Sequence, residues 1–365
     1  MSATSARNFT RPMIQSATGY VPGEQIENTG IIKLNTNENP YPPAPALGQA
    51  LQSFDVTRLR QYPQPTALTF RNAAASLHGV SPECILATNG GDELLRLAIT
   101  TFVDPGEHIG YANPSYSLYP VLAQLHGAKV FDVPLDERWH PGADFAQRMN
   151  EANAKLVFVV NPHAPSGTLL DMNAIETLAR ELNGVLVLDE AYVDFVDPAL
   201  QHNAIPLVQR LDNVLILRSF SKGYSLAGLR FGYGIGSANL VEPMQSKTKD
   251  SYNTDVLGQL LATTALGARD YAQGTWEKVR DSRAKLTEDL TARGFSVEPS
   301  HANFVLATVP KTPAPSAQQL YEGLKARGIL VRYFGLPRLE QRLRITVGTP
   351  AENAALLGAL DALGG

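Results

Sequence analysis

The chain has 365 residues, 44% of them hydrophobic and 18% charged, with a formal net charge of −4. That length can bury a large core, as one big domain plus a smaller one, and the absence of a basic block argues against nucleic acid and anionic membranes, leaving a small molecule as the expected partner. Cys84 is the single cysteine, which excludes intrachain disulfides and cysteine metal clusters; with no signal-peptide core and no run of roughly 18 apolar residues, a soluble, cytoplasmic protein is expected.

Residues 1–30 mix polar residues, Gly and Pro with little periodicity, and LNTNENPYPPAP (34–45) is too rich in Asn and Pro for helix or central strand. Together, residues 1–45 read as an N-terminal arm ending in a shaped loop. From residue 46 onward, helix-like and strand-like segments alternate: LLRLAITTF (94–102) has helical spacing, and HIGYA (108–112) reads as a strand. KLVFVV (155–160), GVLVLD (184–189) and NVLILRS (213–219) are continuous apolar runs, with a helix-like segment at 172–182 between two of them. Such runs separated by helices predict an α/β domain over 46–260 with a mostly parallel sheet covered on both faces. Residues 261–365 predict a smaller α+β domain: helical stretches within 255–293, strand candidates NFVLATV (303–309) and LRITVG (343–348), then a final helix.

Ligands of an open parallel sheet sit at the carboxyl ends of its strands, and four places there carry chemistry. In ATNGGDELLRLA (87–98) two glycines precede a helix, whose first amides, Gly91, Asp92 and Glu93, could hold a phosphate. Alone, this segment reads more readily as an ordinary capped helix start. VVNPHAPSG (159–167) ends an apolar run at Asn161, which is either an amide donor to a ligand or part of a Pro-rich turn. Asp189 ends VLVLD, where a carboxylate needs a cation or several donors, and Tyr192 follows three residues later. FSKGYSLAGLRFGY (220–233) sets Lys222 and Arg230 in surroundings too apolar for a solvated turn. A lysine amine forms imines only when part of it is unprotonated, which burial beside a second cation promotes; Arg230 is expected to supply that charge while pairing with a phosphate. Ser219 and Ser221 are placed to donate to the same anion.

These pieces resemble the fold-type I pyridoxal-phosphate aminotransferases, and within them the histidinol-phosphate aminotransferase branch. The resemblance runs through LNTNENPYP (34–42), RQYPQPT (60–66), NGGDE (89–93), NPSYSLYP (113–120), NPHAPSG (161–167), LDEAYVDF (188–195), SFSKGYSLAGLRFGY (219–233) and LRITVGT (343–349). It implies Lys222 as the Schiff-base lysine, Asp189 as the acid on the pyridine nitrogen, and Tyr192 and Asn161 as contacts to the cofactor's phenolic oxygen. Tyr116 would stack on the ring, and Gly91, Asp92, Ser219, Ser221 and Arg230 would form the phosphate cup. Tyr62 would reach the cofactor phosphate of a neighbouring subunit, implying a homodimer with shared sites; the arm is expected to pack on the small domain or on the partner subunit. Arg344, Arg332 and Asn37 would bind substrate.

The implied amino donor is histidinol phosphate, with glutamate and 2-oxoglutarate as the second pair. There are three rivals: an aromatic or broad-range aminotransferase, which shares most motifs, a related decarboxylase of a phosphorylated amino acid, and a pyridoxal-phosphate-binding regulator, for which the 30-residue start is too short and not basic enough. His163 and Ser251 depart from the family pattern, where Asn and Pro are common; with no second His at ligand spacing, His163 reads as a loop residue rather than a metal ligand.

Overall fold

The runs at 155–160, 184–189 and 213–219 become neighbouring strands at the centre of one sheet. In this computed structural model, which describes residues 8–26, 30–311 and 314–364, the strands are β1 (Ile32–Lys33), β2 (Ile85–Thr88), β3 (His108–Asn113), β4 (Lys129–Pro134), β5 (Ala154–Val160), β6 (Val185–Asp189), β7 (Val214–Ser219), β8 (Gly232–Gly236), β9 (Ser296–Val297), β10 (Phe304–Thr308), β11 (Ile329–Leu330) and β12 (Arg342–Thr346). Residues 1–7 and 27–29 of the expected arm, and 312, 313 and 365 of the expected smaller domain, lie outside the described residues.

The main sheet runs β2-β8-β7-β6-β5-β3-β4, parallel except for β8, which is antiparallel to both of its neighbours. Side chains alternate along a strand, so each run feeds two cores. Leu186 and Leu188 enter one core, and Val187 enters the other with Phe158 and Val160. The second sheet, β12-β10-β9, is antiparallel, and β1 pairs in parallel with β11.

Two strands of the main sheet were not anticipated as strands. β8 reads GYGIG, whose glycines lower strand propensity; pairing on both sides with β2 and β7 overrides it. β4 is an edge strand with a largely exposed pattern.

Two features join the second sheet to the first. The arm packs Tyr20 edge-on against Tyr116, 5.8 Å between centroids, while Glu24 pairs with Lys325 at 2.5 Å. Trp139, 1% exposed, lies under the guanidinium groups of Arg338 and Arg342, at 4.1 and 4.8 Å from its ring centre. Arg338 also donates to the carbonyls of Leu135, at 2.8 Å, and Asp136.

Close packing at the start of β8 is set by backbone. A Cβ on Gly232 would stand 2.9 Å from the carbonyl carbon of Gly90 and 3.0 Å from both Arg218 O and Gly91 N. None of these atoms can rotate away. Gly232→Ala is expected to destabilise the fold by about 1–3 kcal/mol, seen as a lower urea midpoint with an unchanged slope; an unchanged midpoint would refute this packing.

Candidate active site

Asp189 closes β6, and strand alternation turns its side chain onto the face shared by Phe158 and Val160. The carboxylate is 4% exposed. It accepts from Tyr119 Oη at 2.9 Å and from the amide of Ala191 at 3.1 Å. Burial outweighs these donors and pushes the acid up to about 6. Tyr119 is itself fixed by stacking on Phe158, 4.5 Å away and inclined by 8°. A carboxylate so placed has room in its chemistry for one more donor carrying positive charge.

Lys222 opens the loop between β7 and β8. Its amine donates to the carbonyl of Thr36 at 2.8 Å and lies 5.9 Å from the centre of the Tyr192 ring. Burial lowers its pKa to about 8, followed in size by the charge of Arg344, with Arg230 contributing less and Glu38 opposing. The cation expected to tune Lys222 was Arg230; Arg344, brought in by β12, acts more strongly.

Arg230 ends the same loop in a left-handed conformation, φ 54°. Its guanidinium donates to Ala227 O at 3.1 Å, meets Asp92 at 3.3 Å, and lies 3.5 Å from Ser221 Oγ. Ser219 Oγ accepts from the Ser221 amide at 3.1 Å. The helix Gly90–Phe102 points its amino end here, and no side chain caps it. Arg230, Ser219, Ser221 and the first amides of that helix therefore form a cluster of donors suited to a phosphate. Tyr116 borders it, with its hydroxyl 3.3 Å from Asp92.

On the other side, Arg332 and Arg344 face each other across an isolated antiparallel bridge, each donating its amide to the other's carbonyl, at 3.0 and 2.9 Å. Both guanidinium groups lie over Phe334, at 5.4 and 5.5 Å. Arg344 donates to Asn35 O at 2.8 Å, while its buried Nε has no partner. Two adjacent cations with unused donors make a seat for an anion.

Two expected contacts, Asn161 and Asn37, have protein partners. Asn161 follows Val160, the residue in register with Asp189, and its backbone amide donates to Asp189 O at 2.8 Å. Its carboxamide bonds the main chain of Leu170, accepting at 2.8 Å, and approaches His202 at 3.3 Å. Asn37, expected to contact substrate, is 1% exposed and donates to Tyr192 Oη at 3.0 Å instead. Tyr62 is 80% exposed and stacks on Tyr252 at 4.4 Å. His163 is a structural tie: its ring meets Ser166 Oγ at 2.7 Å and Pro114 O at 3.1 Å, and burial lowers its pKa to about 3.

The profile of the family Aminotransferase class I and II matches residues 29–360. The chain belongs to that family. It is 42% identical over 355 residues to a histidinol-phosphate aminotransferase of Rippkaea orientalis, covering 97% of this chain and 98% of the relative. It is 43% identical over 355 residues to histidinol-phosphate aminotransferase 1 of Trichormus variabilis, covering 97% and 98%. Among solved structures, the histidinol-phosphate aminotransferase of Sinorhizobium meliloti, in complex with pyridoxal-5'-phosphate, superposes with a TM-score of 0.88 at 26% identity, covering 99% of this chain and 98% of that one.

In this member of the aminotransferase family, three residues support the cleft that the sequence alone did not single out. Tyr119 lies three positions after Tyr116 in NPSYSLYP, on the first turn of the helix Leu118–His126, and spacing on that helix could have indicated it. Asn253 donates to Ala87 O at 3.0 Å and to Glu93 at 2.9 Å, fixing the Ser251 segment against the helix start. Tyr20 enters from the arm, where no periodicity announces it.

Asp189 has a counterpart in the half-buried Asp194, which desolvation also raises to about 6 despite Arg218 and Arg269. A folded state with raised acids binds more protons than the unfolded chain between roughly pH 4 and 6, so stability falls as pH rises through that window. Asp189→Asn should remove its share of this slope and stabilise the ligand-free protein at pH 7 by on the order of 3 kcal/mol. Urea unfolding at pH 4 and pH 7 tests this; an unchanged difference between the two would rule it out.

Proposed function

We propose that the protein is a pyridoxal 5'-phosphate-dependent aminotransferase that moves an amino group between histidinol phosphate and 2-oxoglutarate. The observation that carries the reading is that Lys222, in the loop after β7 with its amine held near 8 by burial, and Asp189, at the end of the neighbouring strand β6, stand at the same edge of the sheet. The raised acid and the loosely paired Arg230 fit opposite ends of this cofactor, a pyridine nitrogen and a phosphate.

When bound, pyridoxal phosphate supplies the electron sink that lets a proton leave the amine-bearing carbon of the substrate. Asp189 holds the proton on the pyridine nitrogen through a charge-assisted hydrogen bond. Arg230, Ser219, Ser221, Gly91 and Asp92 form the phosphate cup, and Tyr116 packs on the ring. Tyr192 donates to the phenolic oxygen. Lys222, with its pKa close to neutral, anchors the cofactor and then carries the proton to and from the substrate carbon. Arg332 and Arg344 hold the substrate's anion, the phosphate of one partner or a carboxylate of the other.

The relatives named above support histidinol phosphate as amino donor. Exposed Val56, Leu59, Tyr62, Leu68 and Tyr252 support a homodimer in which Tyr62 serves the other chain's cofactor. Among the described residues no helix is long and apolar enough to cross a membrane.

Lys222→Ala is expected to abolish both the visible absorbance of the loaded protein and nearly all turnover, a loss larger than the roughly 10²–10⁴ of a general base alone. An intact band with substantial activity would sink the assignment. Loss of the band on adding each amino donor separates the substrates. Histidinol phosphate should react faster than phenylalanine or tyrosine, and release of CO₂ without any need for 2-oxoglutarate would favour the decarboxylase.

A further inference from the structure

Asn37 sits in the left-handed region, φ 57°, a conformation asparagine adopts more readily than most residues. Every polar atom it has is used. Its amide donates to Thr346 Oγ1 at 3.0 Å, its carbonyl accepts from Asn303 Nδ2 at 2.8 Å, its Oδ1 accepts from Thr346 Oγ1 at 3.1 Å, and its Nδ2 donates to Tyr192 Oη at 3.0 Å.

The directions of these bonds follow from counting protons. Thr346 Oγ1 receives the Asn37 amide proton and has one proton of its own to give, which goes to Oδ1. The NH₂ end of the carboxamide must therefore face Tyr192, whose oxygen accepts. With that side occupied by a donor, the phenol's own proton is turned elsewhere, toward the cleft where Lys222 lies 5.9 Å from the ring.

We propose that Asn37 is a positioning residue that aims the Tyr192 hydroxyl proton into the cleft, making Tyr192 a donor of fixed direction toward the cofactor's phenolic oxygen. This role rests on the cofactor assigned under the proposed function. Burial keeps the phenol protonated, against the opposing pull of Arg344 and Asn37, and Asp189 and Tyr20 also face it. Thr346 is two residues from Arg344 on β12, so one strand carries both a substrate cation and the residue that orients Asn37.

The test is a spectrophotometric titration of the visible band of the pyridoxal-phosphate-loaded protein, with circular dichroism as a check on folding. A donor on the phenolic oxygen favours the deprotonated form of the chromophore, so losing that donor raises the pKa of the band. Asn37→Asp keeps the shape and the tolerance of positive φ but replaces the donor with an acceptor, which reverses the Tyr192 hydroxyl. It should raise the pKa of the band by about one unit, and Tyr192→Phe should do the same. On a Tyr192→Phe background, the same substitution should add less than half of that shift. Asn37→Gly, which retains the backbone conformation without adding charge, should give a smaller rise that vanishes on the same background.

A shift retained at half or more on the Tyr192→Phe background, or no shift at all, overturns the proposal. So does loss of cofactor binding by both Asn37 variants while Tyr192→Phe still binds it, because Asn37 would then serve the loop and not the hydroxyl. A wild-type chain with no titrating visible band would sink the cofactor reading itself.

Discussion

Three consecutive backbone carbonyls hold the cleft together. Those of Asn35, Thr36 and Asn37 accept from Arg344, Lys222 and Asn303, at 2.8 Å each. The donors come from β12, from the loop after β7, and from the residue just before β10, so a short loop near the start of the chain ties both sheets to one set of points. Successive carbonyls can diverge in this way because Asn37 leaves the extended conformation for the left-handed one. Glu38 then braces the loop from outside, accepting from Lys33 at 2.5 Å and from Thr36 at 2.8 Å.

Behind the cleft, alternation separates two neighbouring acids. Asp189 faces Tyr119, while Glu190 turns to the opposite face and meets Arg218 at 2.7 Å and His202 at 3.7 Å. Glu190 is 1% exposed and would be costly there without a cation. The two carboxylates thus have separate environments one residue apart: one is matched to an arginine, and the other keeps a raised proton affinity.

Much of this was legible in the chain, and the failures have physical causes. The central strands announced themselves because a strand covered on both faces has no polar alternation to hide it. Lys222, Asp189 and Arg230 stood out as charges in apolar contexts, and they meet in one cleft. For Asn161, closeness to a strand end does not say what the side chain meets; its carboxamide oxygen accepts from the amide of Leu170, nine residues further on. Asn37 and Tyr119 act by orienting other side chains, a role that depends on partners far away in sequence, Thr346 and Asp189. β8 was lost in the glycines of its own motif, since its stability comes from β2 and β7 and not from its residues.

The reversed direction of β8 has a mechanical result. β7 and β8 remain paired up to Ser219 opposite Gly232, so the segment carrying Lys222 and Arg230 leaves the sheet and returns to it through one closed neck. Phe220 and Phe231 fasten that neck with a further backbone hydrogen bond at 3.1 Å. The amine and the guanidinium therefore hang from one anchor, and the number of residues between Lys222 and Arg230 sets their span like two marks on one ruler. Added length anywhere between them would stretch that ruler, whereas the same insertion in an exposed turn elsewhere would leave it unchanged.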